Sequence, residues 1–162
     1  MSDFYTEQMV KKQTTMKDVF IKALLVALAI VSVIATLMFP IGIIVAIAVI
    51  GAVVFLIRRM DVEYEYLYVN GDLDIDKIMH RAKRKRVFSA NIDDVELLAP
   101  ESAPELNQFR NAKVCDYTSG NADAKRYVLV VSGNGQLTKV VFEPNDTIVQ
   151  GIMMLAPRKV VR

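Results

Sequence analysis

ALLVALAIVSVIATLMFPIGIIVAIAVIGAVVFLI, residues 23–57, runs for 35 residues without one charged side chain. As a single straight helix, at about 1.5 Å per residue, it would reach roughly 50 Å. The hydrocarbon core of a bilayer is only about 30 Å thick. The run is broken at Phe39-Pro40-Ile41-Gly42, where proline removes a backbone donor and crowds the preceding turn. That leaves two stretches of roughly 17 residues, at the short end of the spanning range. Backbone groups in lipid must be satisfied within each segment, so both halves are predicted to be helices. The reading is a transmembrane helical hairpin over residues 19–57 with its break at 39–42. A segment of residues 1–18 precedes it, and a water-soluble domain of residues 58–162 follows.

The composition agrees with two solvents. Of 162 residues, 53% are hydrophobic, yet the part after Arg58 is mixed and long enough for one domain with its own core. From Arg58 to Arg162 there are 16 basic and 15 acidic residues, so a broad positive field suited to nucleic acid is absent. Lys11, Lys12, Lys17 and Lys22 precede the first apolar half, Arg58 and Arg59 follow the second, and the turn between carries no charge. The positive-inside rule then places both termini in the cytoplasm. A cleaved signal peptide does not fit, because a second apolar stretch follows the first. The single Cys115 excludes an internal disulfide and suits a reducing compartment.

Helices in lipid associate through close contact of small residues. Ala23/Ala27, Gly42/Ala46 and Ala48/Ala52 are small pairs four residues apart, and they are the candidate packing positions for closing the hairpin or pairing two copies. The alternative is that alanine and glycine are simply common in spans. No Asp, Glu, Arg or His lies between Ala23 and Ile57. Ion and proton pathways need such groups at membrane depth, so the hairpin reads as an anchor rather than a transporter.

From Val62 the hydrophobic period becomes two. Val62 to Val69 alternates with Tyr64, Tyr66 and Tyr68 on one face, as a half-buried strand does. Asn70-Gly71 is a strong hairpin signal, and Asp72, Asp74 and Asp76 then alternate with Leu73 and Ile75. Further strands are predicted around 84–90, 95–99, 113–118, 127–132 and 137–142. Pro104 to Phe109 reads as a short helical turn opened by proline. Pro144-Asn145-Asp146 opens a helix whose apolar stripe is Ile148, Ile152 and Leu155, with Asn145 or Asp146 as its cap.

Seven antiparallel strands closed by a terminal helix is the order of the pleckstrin-homology (PH)-like barrel. A membrane hairpin leading directly into such a domain resembles the bacterial PH-like membrane proteins, over Val62 to Val160. More narrowly, Met1-Ser2-Asp3-Phe4-Tyr5-Thr6-Glu7-Gln8 and Gly71-Asp72-Leu73-Asp74-Ile75-Asp76-Lys77-Ile78 look like a clostridial family of small two-span proteins with no assigned activity. The expected fold is an α+β membrane protein, a transmembrane hairpin followed by a seven-stranded PH-like barrel and a C-terminal helix.

Arg81, Lys83, Arg84, Lys85 and Arg86 form the one conspicuous charge cluster, at the turn into the third of these strands. Basic residues near an anionic leaflet gain about 1 kcal/mol each, and a basic turn parallels the phosphate-binding hairpins of some PH domains. Against this, Arg84 and Arg86 can pair across the strands with Asp72, Asp74 and Asp76. That leaves Arg81, Lys83 and Lys85 as the candidates for an anionic lipid or ligand. His80 stands without a ligand partner at metal spacing. The three aspartates lack a calcium-loop pattern, and Gly133-Asn134-Gly135 is too short for a phosphate loop. No nucleophile–base pair, metal site or cofactor site is read. The expected function is a membrane-anchored cytoplasmic interaction or assembly module without catalytic activity, in the bacterial plasma membrane. Its expected partners are the lipid bilayer and a protein or a second copy, not nucleic acid. The alternative is a sensor of anionic lipid headgroups through the basic turn.

Overall fold

The computed structural model describes residues 4–39, 42–79, 83–133 and 135–161. It divides into two compact units, Gln13–Val62 and the remainder, Met1–Lys12 with Glu63–Arg162.

The first unit is a helical pair, α1 (Met16–Thr36) and α2 (Gly42–Arg59). With 21 and 18 residues they are long and apolar enough to cross a membrane, about 31 and 27 Å at the usual rise. Pro40 and Ile41, the centre of the expected break, lie outside the described residues. At the start of α1 the Thr15 N–H donates to the Asp18 carboxylate at 2.9 Å, one half of a capping box. Leu25, Ala29, Ser32 and Thr36 are partly covered on α1, and Gly42, Ala46, Val49, Val53 and Ile57 are covered on α2. This three- and four-residue spacing is that of facing helices. The Ser32 and Thr36 hydroxyls turn back to the carbonyls of Ala29 and Val33 at 2.7 and 2.6 Å, so neither brings an unmet donor into the seam. A Cβ on Gly42 would stand 2.9 Å from the Thr36 Cα, so the close approach at the turn requires glycine. Of the small residues singled out above, Gly42 and Ala46 lie in this seam, while Ala23, Ala27, Ala48 and Ala52 face outward.

The second unit contains eight strands among the described residues, in two four-stranded sheets. Sheet one is β1 (Tyr5–Lys11), β2 (Val62–Val69), β3 (Asp72–Met79) and β4 (Lys83–Asn91), in that order. Sheet two contains β5 (Val95–Pro100), β6 (Lys113–Asp116), β7 (Tyr127–Gly133) and β8 (Gln136–Phe142), in the order β5-β7-β8-β6. A helix, α3 (Asp146–Leu155), follows. Two sheets replace the expected seven-stranded antiparallel barrel. The additional strand, β1, comes from within the segment of residues 1–18. Its covered face offers only Thr6, Gln8 and Val10, so no apolar alternation marks it. A second departure is that β6 runs parallel to β8, because the chain from β5 first crosses the sheet through the turn Pro104–Phe109.

β1 pairs antiparallel with β2 from Tyr5↔Val69 to Lys11↔Glu63. The helical pair is therefore inserted in the connection of a β-hairpin. The Asn70-Gly71 turn joins β2 to β3 with φ of 50° and 104°, the positive values a tight hairpin turn demands. Since β1 to β4 alternate in direction, the end of sheet one that carries Lys11 and Glu63 also carries Met79 and Lys83.

The tyrosine face of β2 meets sheet two. Tyr66 is fully buried against Phe142, ring centroids 5.5 Å apart and edge to face, and Tyr64 meets Tyr117 at 5.6 Å. The Tyr66 hydroxyl donates to the Tyr117 carbonyl at 2.6 Å and accepts from the Glu143 N–H at 3.3 Å, which satisfies a buried phenol. α3 adds Ile148 and Ile152 to this core. Its cap is Asn145, whose side chain accepts from the Ile148 N–H at 2.9 Å. The opposite face of sheet two buries Leu97, Ala99, Val128 and Val130 beneath Leu106. Burial on both faces explains why β7 reads as a continuous apolar run.

Candidate interaction face on the first sheet

The charged residues of β3 and β4 are arranged by a β-bulge. From Asp72↔Asn91 to Ile75↔Phe88 the register is regular, then it shifts, and Asp76 faces Arg86 and Ile78 faces Arg84. Without that shift Asp76 would face Val87. A one-residue slip moves every later side chain to the other face. The bulge therefore sets both arginines on the side of the aspartates and turns Lys83 and Lys85 the other way.

The arginines are consequently held. Arg86 reaches Asp74 at 3.0 Å and Asp76 at 3.2 Å, while Arg84 pairs with Glu65 and lies 3.8 Å from Asp76. The cross-strand pairing read from the sequence is thus present for Asp74 and Asp76. Asp72 instead accepts from the Asn91 side chain at 2.6 Å. Glu65 enlarges the network. It is 1% exposed, although strand alternation points it away from the tyrosines on either side. Burial foremost, then its hydrogen bond with Glu7, raises the Glu65 carboxyl above its ordinary value, and Arg84 opposes that. Glu7 is lowered, chiefly by the hydrogen bond from the Tyr5 hydroxyl at 2.8 Å. Arg86 is raised, foremost by Asp76. No sequence signal pointed to Glu65, because a glutamate between two tyrosines reads as a solvated outer position.

Lys83 and Lys85 are exposed and have no ion-pair partner among the described residues. Lys85 stands opposite Lys77, a like-charge pairing that opposite strands ordinarily avoid. Arg81 and His80 lie outside the described residues. Cys115 is half-buried. Its neighbour Tyr117 is pushed up to about 12, first by burial and then by Cys115. The Tyr68 hydroxyl is buried without a hydrogen-bond partner among the described residues, and burial, followed by the charge of Asp72, pushes it up to about 12. Among the described residues no group of three or more His, Cys, Asp or Glu side chains is placed to hold a metal ion.

Residues 2–162 match the family described as Bacterial PH-like domain (DUF6106). The chain belongs to this family. The match takes in both apolar helices as well as the two sheets, so the inserted helical pair is covered by the same family match as the PH-like domain. No curated protein and no solved structure matches the chain.

Proposed function

We propose that the chain is a membrane-anchored interaction module without catalytic activity. The PH-like domain is its binding part, and the helical pair is a two-span anchor in the plasma membrane with both termini cytoplasmic. The observation that carries this reading is the insertion of the pair between β1 and β2. Lys11 and Glu63 are register partners, so a crossing made by α1 must be reversed by α2. Leaving β1 and β2 on opposite sides would break seven paired positions. The surface of the pair agrees: Leu24, Leu28, Val31, Ile34, Ile43, Ile47 and Phe55 are 54–67% exposed, a patch that water does not tolerate and lipid does. Six flanking cations, from Lys11 to Lys22 and at Arg58 and Arg59, favour the cytoplasm for both ends. Catalysis is left out because the sequence offers no nucleophile–base pair. The partner on this reading is a protein or a second copy of the chain.

Reporter fusions after Phe39 and after Arg162 test it. An external signal from the first and a cytoplasmic signal from the second are expected. An external signal from Arg162 would overturn the two-span arrangement.

A second reading, recognition of anionic headgroups through Arg81, Lys83 and Lys85, is favoured by one observation. Lys83 lies at the end of sheet one where the chain departs for the helical pair. Replacing Arg81, Lys83 and Lys85 by Gln in the full chain should then lower enrichment of anionic lipid around it, by at most about 3 kcal/mol in total. The enrichment should also weaken with salt. Enrichment unchanged by the replacement would exclude this reading.

A further inference from the structure

We propose that the free edge of β4 is a strand-addition site for an extended, acidic segment of a partner protein. This rests on the interaction-module reading and names its site. β4, nine residues long, is an edge strand of its sheet among the described residues, so its outer edge presents main-chain donors and acceptors to an extended chain.

Lysines on an edge commonly guard it against other strands, and here they repel a second copy of β4. They do not repel an acidic strand. Lys83 and Lys85 are unneutralised, and Lys77 stands directly across from Lys85, so a carboxylate set beside Lys85 by an added strand offsets a repulsion already built into the sheet. Arg84 and Arg86, on the other face, are fixed by Glu65, Asp74 and Asp76. Those side chains are thereby ordered before binding and lose little further freedom when a strand is added.

The far end of the edge limits the length of the segment. The Val87 carbonyl accepts the Tyr117 hydroxyl at 3.2 Å, so ladder pairing stops there. Beyond it lies a cleft of about 390 Å³ whose lining includes Ser89, Asp94, Ser132 and Thr138. Asp94 disfavours a further carboxylate there, so the acidic run ends before it. The other free edge of sheet one, β1, carries Tyr5, Glu7, Met9 and Lys11 outward and offers no such run of cations.

The test uses the full chain in nanodiscs of zwitterionic lipid and a labelled peptide of alternating glutamate and valine. Saturable binding is expected, with slowed amide exchange confined to Lys83–Arg86. Binding should weaken about tenfold or more in the double variant Lys83→Glu/Lys85→Glu. It should also be abolished when the peptide backbone is N-methylated, since strand addition needs its N–H groups. Absence of binding, binding indifferent to N-methylation, or protection on β1 instead would overturn the proposal. So would a response of β4 to anionic nanodiscs alone, which would assign the cations to headgroups. None of these outcomes alters the reporter topology, so failure here is separable from failure of the anchor reading.

Discussion

The helical pair and the β domain handle the same kind of side chain in opposite ways. α1 and α2 turn their large aliphatic residues outward and meet through Gly42, Ala46 and Val53. The two sheets turn Tyr66, Phe142 and Leu129 inward to complete burial and pair the charges they cover, Glu65 and Asp76, with Arg84 and Arg86. The contrast is what the proposed membrane anchor requires of one chain with two solvents, and each unit draws its tight contacts from a different kind of residue. Small residues let backbones meet in the first, and rings locked edge to face fill the second.

The largest expected difference between the units is alkaline. Tyr66, Tyr68 and Tyr117 all have raised pKa values through burial, whereas residues 13–62 contain no tyrosine. In an unfolded chain these phenols titrate near about 10. Their contribution to stability is complete below that value and is lost as pH rises towards the folded-state values of about 12 for Tyr68 and Tyr117. Circular dichroism of the full chain in nanodiscs should lose strand signal in that window and keep the helix signal of α1 and α2. Simultaneous loss of both would break the comparison.

Glycines sharpen it next. A Cβ on Gly151 of α3 would come within 2.5 Å of the Phe4 and Tyr68 rings, so Gly151→Ala should destabilise the domain by about 1–3 kcal/mol. Gly51 in α2 has nothing within 4 Å of an added Cβ. Gly51→Ala should be neutral or favourable to the helix by up to about 1 kcal/mol. Thermal unfolding of the two variants measures both.

Within the domain, two neighbouring tyrosines on β2 should respond with opposite signs. Tyr66→Phe removes the donor to the Tyr117 carbonyl and should cost about 1–3 kcal/mol. Tyr68→Phe removes a buried hydroxyl without a partner and should stabilise by about 1 kcal/mol. Equal effects in denaturant titrations would show that the hydrogen bonding of Tyr66 does not set its stability.

The smallest contrast concerns the cations of β4. Arg84→Gln leaves Glu65, 1% exposed, without its counter-charge, but the arginine itself is half-exposed. About 1 kcal/mol of destabilisation is expected. Lys83→Gln and Lys85→Gln should each stay within about 0.5 kcal/mol. A larger loss from the lysines than from the arginine would contradict the placement made by the bulge.

Much of this was legible in advance, for reasons that differ by element. Pro40 and Gly42 marked the break in an uncharged run, Asn70-Gly71 marked a turn that needs positive φ, and Asn145 marked the start of α3. The aspartate–arginine pairing was expected from the two neighbouring strands, but the faces that make it possible are set by the bulge. β1 was not legible, because its outward Tyr5, Glu7, Met9 and Lys11 and inward Gln8 give no apolar period. Its partner also lies beyond the whole helical pair. The bulge at Ile75/Asp76 left no mark in composition, and it decides which cations are paired. Nor could the sequence show that Glu65 is covered or that Gly151 is a ring contact, since both depend on strands brought together from distant positions.

The helical pair is an insertion in a β-hairpin, and one measurement tests that most directly. Lys11 and Glu63 face each other, so a two-residue Asn-Gly turn can close β1 onto β2 in place of residues 12–62. The shortened chain should be soluble without detergent, rich in strand, and cooperative in thermal unfolding. A chain that instead begins at Asp61 lacks β1 and the Phe4–Tyr68 ring contact of 5.8 Å, and it should unfold at lower temperature. If the hairpin-closed chain is insoluble or unfolded, or if the chain without β1 is equally stable, the helical pair is not an insertion in this domain.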